Sequence, residues 1–260
     1  MQEVKTLGET GTLITPDSKY KELIERVGTV ENNINQSEAA EYIKHSSVSK
    51  KDIKETFKDT KRLNEKAGKF AKIFLNYVQN FEEKAKEKGI GIIMSGNPGT
   101  GKTYFANCIW NALKEKHKVY KTSFGKYVRE IQDKFEEDRF LDRVKNADLI
   151  ILDDLGNEYF KEDKNGSWKK EVLFNLFNTI YENEICLIIT TNLNEQQLKE
   201  FFEIKKSYKV YDRILERCAG FEFDWESRRP DLYKKELTEL FRLPGVVTDE
   251  KVRKGIETRV

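Results

Sequence analysis

The sequence predicts an α/β fold built on a parallel, doubly wound sheet. Short, continuous apolar segments recur along the chain, and segments with helical periodicity separate them. Strands covered on both faces have this apolar character, and their alternation with helices is typical of parallel sheets. A glycine-rich motif, Gly-Asn-Pro-Gly-Thr-Gly-Lys-Thr at residues 96–103, lies between one such strand and the helix after it. This strand–loop–helix order is the third indication of the fold.

The individual elements follow from periodicity and from stop signals. Apolar residues at three- and four-residue steps predict helices, Gly89 ends the first of them, and Ser123 is placed as the N-cap of the third. Residues 136–146 are interpreted as a charged stretch and residues 156–167 as a polar loop. The strands are predicted at Ile90–Met94, Val119–Thr122, Leu149–Leu152, Ile185–Thr190 and Phe221–Trp225. The helices are predicted at Phe57–Lys88, Lys102–His117, around Phe124–Phe135, at Trp168–Glu182 and around Tyr211–Arg217.

The composition excludes several classes of protein. The 260 residues carry a net charge of +2, with 38% hydrophobic and 35% charged residues, so no global basic field indicates nucleic-acid binding. The apolar runs are too short to span a membrane, and the N-terminus lacks the apolar core of a signal peptide. Cysteines 108, 186 and 218 are far apart and predicted to be buried free thiols in a reducing cytoplasm. With His45 and His117 as the two histidines, no zinc site is expected.

Three regions are predicted along the chain. Residues 1–55 are polar and form either a small partner-binding module, with short helices near Tyr20–Val27 and Ala39–Ile43, or a flexible tail. Residues 56–230 form the α/β domain. Residues 231–260 carry one helix around Leu237, Leu240 and Phe241 and then a charged extension.

The glycine-rich motif is a phosphate-binding P-loop. Its glycines let backbone N–H groups curl around phosphates, and the helix that begins near Gly101 directs its N-terminal dipole at the same anion. Lys102 is predicted to reach the β- and γ-phosphates, and the Thr103 hydroxyl to ligate Mg²⁺. The nucleotide-binding residues are therefore predicted to be Gly96, Asn97, Pro98, Gly99, Thr100, Gly101, Lys102, Thr103 and Tyr104.

Two acidic residues follow the apolar strand Leu149–Leu152. The carboxyl ends of parallel strands are where ligands collect, so Asp153 and Asp154 are expected beside the phosphates. Asp153 fits the carboxylate that holds Mg²⁺, and Asp154 is a candidate to orient or deprotonate the attacking water. Without the P-loop, two solvated acids that end a strand would be the better interpretation.

Polar and basic residues after the later strands are weaker candidates. Asn192 ends the next buried strand, where an amide can bond to the γ-phosphate or the water, or form an ordinary turn. Arg213 and the pair Arg228 and Arg229 are candidates to stabilise the transition state of hydrolysis, although most arginines form surface ion pairs. Spacing alone does not decide between these alternatives.

The ordered set of motifs resembles a known family. The P-loop, Ile-Leu-Asp-Asp-Leu-Gly at 151–156, Ser-Trp-Lys-Lys-Glu-Val-Leu at 167–173, Thr-Thr-Asn at 190–192 and Val-Tyr-Asp-Arg at 210–213 occur in this order. Together they are similar to AAA+ ATPases of the bacterial helicase-loader type, the DnaC/DnaI family, and to the related IstB-type transposition ATPases. The resemblance covers about Phe57 to Arg229.

The resemblance implies roles, by position, for residues of this chain. The P-loop becomes Walker A, Asp153 and Asp154 become Walker B, and Asn192 becomes sensor 1. Arg213 becomes an arginine finger that completes a neighbouring subunit's ATP site, and Arg229, or else Arg228, becomes sensor 2. The implied function is an ATPase, using ATP and Mg²⁺, that self-assembles through its ATP sites and loads a replicative DNA helicase onto single-stranded DNA.

The same resemblance implies DNA contacts at four positions. Family loaders hold single-stranded DNA with the helix after the second strand and with the loop after Walker B. The matching positions are Phe135 and Ser167, Trp168 and Lys169. A stacking aromatic with a lysine suits a DNA strand, but Phe135 as a core residue and Trp168 as a helix-start staple are the alternatives.

The N-terminal region departs from the family, and it leaves rival functions open. DnaI-like loaders carry a zinc-binding N-terminal domain, whereas this chain has no cysteine before Cys108, and 55 residues are few for a helicase-binding domain. The rivals are an IstB-like ATPase that regulates a transposase on duplex DNA, a P-loop kinase for a small molecule, and an inhibitory protein that keeps the core as a scaffold.

Overall fold

The computed structural model describes residues 36–58, 64–131, 134–156, 166–203, 206–227 and 240. In these residues five strands form one sheet in the order β2-β3-β4-β1-β5, and every neighbouring pair is parallel. The predicted α/β class with a parallel sheet is confirmed. The strands are β1 Gly91–Gly96, β2 Val119–Ser123, β3 Leu149–Leu155, β4 Cys186–Thr191 and β5 Cys218–Phe223.

Helices cover both faces of the sheet. Besides the longer helices, Asp52–Lys54 forms a 3₁₀ turn, and residues 81–88 continue the second helix through a π-helical turn to Gly89, which ends it at φ 60°. The helices are α1 Gln36–His45, α2 Glu65–Gln79, α3 Lys102–Leu113, α4 Phe124–Glu130, α5 Lys134–Lys145, α6 Gly166–Glu182, α7 Glu195–Phe201 and α8 Lys209–Arg217.

Alternate side chains of each strand face opposite layers, so the described residues form two cores, one on each face of the sheet. The first face of the sheet packs against α2 and α3, and the second packs against α4 to α8. The first core includes Phe74, Phe105, Trp110, Ile92, Ile151 and Ile188. The second includes Phe124, Leu176, Ile214, Ile93, Ile150 and Ile189.

Several predicted boundaries were wrong. The helix expected from Phe57 begins at Glu65, because the Asn64 side chain accepts a hydrogen bond from the Ala67 amide and caps it there. The helix expected over Phe124–Phe135 ends at Glu130, where Ile131 turns to an extended conformation. The predicted charged stretch is helix α5: it buries Phe140, Leu141 and Val144 on one face, and its charged residues lie mainly on the other. Strand β5 begins at Cys218 and ends at Phe223, earlier at both ends than predicted.

The segment before the sheet packs onto the α/β core. Helix α1 confirms the short helix predicted near Ala39–Ile43. Just after it, the Ser47 amide donates a hydrogen bond of 2.7 Å to the carbonyl of Lys121 on the edge strand β2. Farther on, Asn111 of α3 donates to the Asp52 carbonyl at 2.8 Å. The predicted domain boundary at residue 55 stays a prediction, and the predicted helices at 20–27 and 237–241 lie outside the described residues apart from the exposed Leu240.

The three cysteines are buried thiols that form no disulfide with one another, as predicted. Burial raises the pKa of the Cys186 thiol to about 12 and that of the Cys218 thiol to about 12, so both stay protonated at neutral pH. Among the described residues, no helix has the length and apolar character needed to cross a membrane.

Candidate nucleotide site

The P-loop joins β1 to α3 at the carboxyl edge of the sheet. Its backbone needs glycine: Gly96 has φ 123°, and a Cβ there would lie 2.3 Å from the Phe223 carbonyl oxygen. Gly101, at φ 106°, is the N-cap residue of α3, and as a glycine it has no side chain to bond to the amides of the first turn. The N-terminus of this 12-residue helix is therefore open to an anion from the side of the P-loop.

The side chain of Lys102 lies inside the P-loop. It is 6% exposed, and its Nζ donates to the carbonyl oxygens of Gly96 and Asn97, at 2.7 Å each. The Thr100 hydroxyl also donates to the Asn97 carbonyl, at 2.8 Å, which tightens the turn. The ammonium group is held at the centre of the loop, where phosphate oxygens can replace the carbonyls as its partners.

Thr103 and Asp153 meet at the point predicted for the metal. The Thr103 hydroxyl donates to Asp153 Oδ1 at 2.9 Å. A hydroxyl and a carboxylate are hard oxygen ligands of the kind that Mg²⁺ takes in nucleotide sites. The donor set and the glycine cradle therefore fit a nucleoside triphosphate with Mg²⁺.

The acidic pair lies within β3, which corrects the predicted strand end at Leu152. The strand continues to Leu155, which is buried and pairs with Thr191 after a register shift. At this irregularity Asp154 adopts φ 59°, a left-handed conformation that aspartate tolerates better than most residues. The bulge leaves Asp153 facing the P-loop helix and Asp154 exposed.

Sequence reasoning missed two partners of Asp153. The Thr190 hydroxyl donates to Asp153 Oδ1 at 2.6 Å and accepts the Asp154 amide at 2.9 Å, so one threonine of β4 holds both acids. Lys121 of β2 is 2% exposed, and its Nζ lies 3.2 Å from Asp153 Oδ2. The alternation of side chains along β2 and β4 was a partial signal, because it places both residues on the same face as Asp153 only when the strands are paired in register.

A third missed residue contacts the loop from the end of β5. Trp225 Nε1 donates to the Thr100 carbonyl at 3.0 Å, and the indole packs against Phe223 and Phe70. The Asn97 amide donates to the Phe223 carbonyl at 3.1 Å, so the chain after β5 supports the P-loop at two places. Tyr104, the last predicted nucleotide contact, donates its hydroxyl to the Thr56 carbonyl at 2.9 Å.

Two of the remaining predicted residues, Asn192 and Arg213, are in the described part of the structure. Asn192 is exposed, one residue beyond β4, and the nearby Asn194 forms the capping box of α7 with Gln197. Arg213 is on α8, on the second face of the sheet, where its guanidinium bonds to Asn178 and lies 4.5 Å from the Tyr181 ring centroid. Arg228 and Arg229 lie outside the described residues.

The candidate DNA-contact residues are on helices. Phe135 is the second residue of α5, not the end of the helix that follows β2, and it is 69% exposed, which rules out the core role. Ser167, Trp168 and Lys169 are in the first turn of α6 rather than in a loop. Trp168 is 38% exposed and Lys169 half-buried, and the side chain of Ser167 lies outside the described part of the structure.

Comparison with known proteins gives consistent results. The family described as IstB-like ATP binding protein matches residues 40–236, which is most of the chain. The chain is 27% identical to the replicative helicase loader DnaI of Bacillus subtilis over 168 residues, which are 59% of this chain and 51% of DnaI. It therefore spans about half the length of this relative.

Solved structures share the fold. A crystal structure of the DnaC helicase loader is similar at 25% identity with a TM-score of 0.55, covering 67% of this chain and 99% of that one. A crystal structure of DnaI is similar at 21% identity with a TM-score of 0.57, covering 71% of this chain and 95% of that one. The predicted AAA+ architecture and the predicted resemblance to DnaC and DnaI are both confirmed.

Proposed function

Because this chain belongs to the family of IstB-like ATP binding proteins, we propose that it is an ATPase that loads a replicative DNA helicase onto single-stranded DNA. The observation that carries the proposal is the similarity to DnaI, a replicative helicase loader, in a chain where Thr103 contacts Asp153. The family match supports ATP binding, and the contact between Thr103 and Asp153 supports a metal site at that point.

The proposed hydrolytic chemistry uses the residues around β1, β3 and β4. Lys102 and the P-loop amides hold the phosphates, and Thr103 and Asp153 hold Mg²⁺, which when bound offsets the negative charge of the phosphates. Asp154, which is exposed at the bulge, orients the attacking water. Asn192, also exposed, donates its amide to the γ-phosphate or to that water.

The proposed site is completed by a second copy of the chain. Arg213 lies on the sheet face opposite α3 and is held there by Asn178 and Tyr181, so a role at the γ-phosphate requires a neighbour's site. Head-to-tail assembly brings one subunit's Arg213 to the next subunit's ATP. Hydrolysis then acts as a switch that releases the helicase, and slow turnover suits that role. Sensor 2 is assigned to Arg229, with Arg228 as the alternative.

The proposed path of single-stranded DNA follows the exposed aromatics. Phe135 on α5 and Trp168 on α6 are both exposed, Lys169 is next to Trp168, and Arg139 lies 6.0 Å from the Phe135 ring centroid. Exposed rings with adjacent cations bind single strands by stacking and charge. Residues 1–55 are proposed to bind the helicase.

Co-purification with a bacterial replicative helicase tests this function. The tagged full chain is mixed with this helicase, with and without ATP. A bacterial transposase is tested in parallel. The expected result is retention of the helicase that changes with ATP. Lys102→Ala is the matched control, because it keeps the partner-binding segment and removes the phosphate contact.

Three results would argue against the function proposed. Retention of the transposase and not of the helicase would favour the IstB-like alternative. ATPase activity that transfers phosphate to a small molecule and ignores single-stranded DNA would favour a kinase. Failure of the purified protein to bind adenine nucleotides would reject all ATP-dependent functions at once.

A further inference from the structure

Lys121 is a buried cation next to the proposed metal ligand. It is 2% exposed, and its Nζ lies 3.2 Å from Asp153 Oδ2. Lysine is almost never fully buried unless it is paired, because removing an ammonium group from water is costly. The burial of Lys121 at this position therefore depends on its pairing with the Asp153 carboxylate.

The sheet register fixes this contact. Lys121 pairs with Ile151, and Ser123 pairs with Asp153, so Lys121 and Asp153 are diagonal neighbours on the first face of the sheet. The backbone of Lys121 is also held by the segment that follows α1. Its amide donates to Ser46 Oγ at 3.0 Å, and its carbonyl accepts from the Ser47 amide at 2.7 Å.

The other donors around Asp153 show how the carboxylate is shared. The hydroxyls of Thr103 and Thr190 both donate to Oδ1, while the Lys121 ammonium lies beside Oδ2. Oδ2 is therefore the oxygen held by a full positive charge. A divalent cation that binds to Asp153 must either displace Lys121 from Oδ2 or bind a few ångströms from the charge of Lys121. Either outcome weakens the binding of the cation.

We propose that Lys121 is a built-in counter-charge of Asp153 that competes with Mg²⁺ and so raises the Mg²⁺ concentration needed to bind ATP. Lys121 acts through Asp153, as a positioning residue. The inference rests on the proposed Mg²⁺–ATP site, and it does not depend on the helicase or DNA partner. It makes nucleotide binding sensitive to the supply of magnesium.

The test is a magnesium titration of nucleotide binding to the full chain. Binding of a fluorescent ATP analogue is measured from micromolar to millimolar Mg²⁺ for the wild type, Lys121→Met and Lys121→Arg. Methionine keeps the length of the side chain and removes its charge, while arginine keeps the charge. The half-saturating Mg²⁺ concentration should fall about three- to tenfold in Lys121→Met and stay near the wild-type value in Lys121→Arg.

An unchanged or higher half-saturating concentration in Lys121→Met would overturn the inference. A fall of the same size in Lys121→Arg would also overturn it, since charge would then not be the cause. If the variants show the expected magnesium dependence but the helicase is not retained, the proposed helicase-loading function is rejected and the inference about Lys121 stands. No ATP binding by the wild type would reject both.

A second measurement uses the protein without magnesium or nucleotide. Urea unfolding is compared for Lys121→Met, Asp153→Asn and the double variant. Asp153→Asn leaves a buried charge without its partner, so the double variant should be more stable than the sum of the two single losses implies. Strictly additive losses would show that the two side chains are not coupled, and would overturn the inference even if Lys121→Met bound nucleotide at lower magnesium.

Discussion

Thr103 and Asp153, 50 positions apart in the chain, are joined by a hydrogen bond of 2.9 Å across the carboxyl edge of the sheet. Thr103 belongs to the first turn of α3 and Asp153 to β3, so the contact fixes the P-loop helix relative to the neighbouring acidic strand. Two oxygens of different chemistry are therefore set at one point before any ligand arrives. Preorganisation of this kind reduces the cost of binding a metal–nucleotide complex.

Thr103→Val is expected to remove most ATPase activity while the fold is kept. Valine has the shape of threonine but lacks the hydroxyl, so both the metal ligand and the bond to Asp153 are lost. We expect hydrolysis to fall by about 10²-fold, the effect typical of losing one preorganised polar contact to the transition state. Steady-state phosphate release measures it, with Thr103→Ser as the matched control that keeps the hydroxyl. Equal activity in the valine and serine variants would contradict the assignment.

Arg213→Ala is expected to lower ATPase activity in the assembled protein by roughly 10³-fold, the contribution typical of an arginine finger. Arg217→Ala is the matched control, because Arg217 lies one turn away on α8 and contacts the same Tyr181 ring, at 4.3 Å from its centroid. Phosphate release is measured at concentrations where the wild type assembles. The control should retain its activity.

Mixing two inactive variants separates action in trans from a local structural effect. Arg213→Ala keeps its own P-loop, and Lys102→Ala keeps its own Arg213, so mixed assemblies contain some complete sites. Partial recovery of ATPase activity on mixing is expected. Full activity of Arg213→Ala in assemblies of normal size would disprove the finger assignment.

The sequence was sufficient for those parts of the site that are local in the chain. The P-loop, the strand before it and the helix after it lie within one continuous stretch, and the conformational needs of its glycines restrict what the motif can form. The burial of the strands was also predictable, since continuous apolar runs suit strands that are covered on both faces. The order of the strands was not, because it depends on which runs pair across the sheet.

The parts that were missed depend on pairing between distant segments. Lys121 looks like a solvent-exposed lysine of a short strand until β2 is set beside β3 in register. Thr190 and Trp225 likewise gain their roles from neighbours 37 and 125 positions away. Helix α5 was missed for another reason: its high charge conceals a narrow apolar face around Phe140 and Val144.

Trp225→Phe is expected to weaken ATP binding about fivefold. The change keeps a ring to pack against Phe223 but removes the Nε1–H that donates to the Thr100 carbonyl, and one such bond contributes about 1 kcal/mol. Trp110→Phe is the matched control: Trp110 is fully buried, and its Nε1 has no hydrogen-bond partner among the described residues. Titration with a fluorescent ATP analogue measures both variants. Equal affinities of the two would argue against a role for Trp225 in the loop.

His117 is expected to make the stability of the protein fall on mild acidification. It is 7% exposed at the end of the sheet away from the P-loop, and burial lowers its pKa below the ordinary value of 6.5. The carboxylates of Glu82 and Asp148, 3.2 and 3.9 Å from Nδ1, oppose this shift, while Lys86 and Lys116 add to it. Desolvation outweighs the carboxylates, so the folded protein binds this proton less readily than the unfolded chain does.

The sign of the pH dependence follows from that difference. Below about pH 6.5 the unfolded chain takes up a proton at His117 that the folded protein does not, so the free energy of unfolding decreases as the pH falls toward the lowered pKa. His117→Gln removes this contribution and should lose less stability than the wild type between about pH 7 and pH 5. Urea unfolding at each pH measures the difference. If His117→Gln lost as much stability as the wild type, the buried imidazole would not be the source of the acid sensitivity.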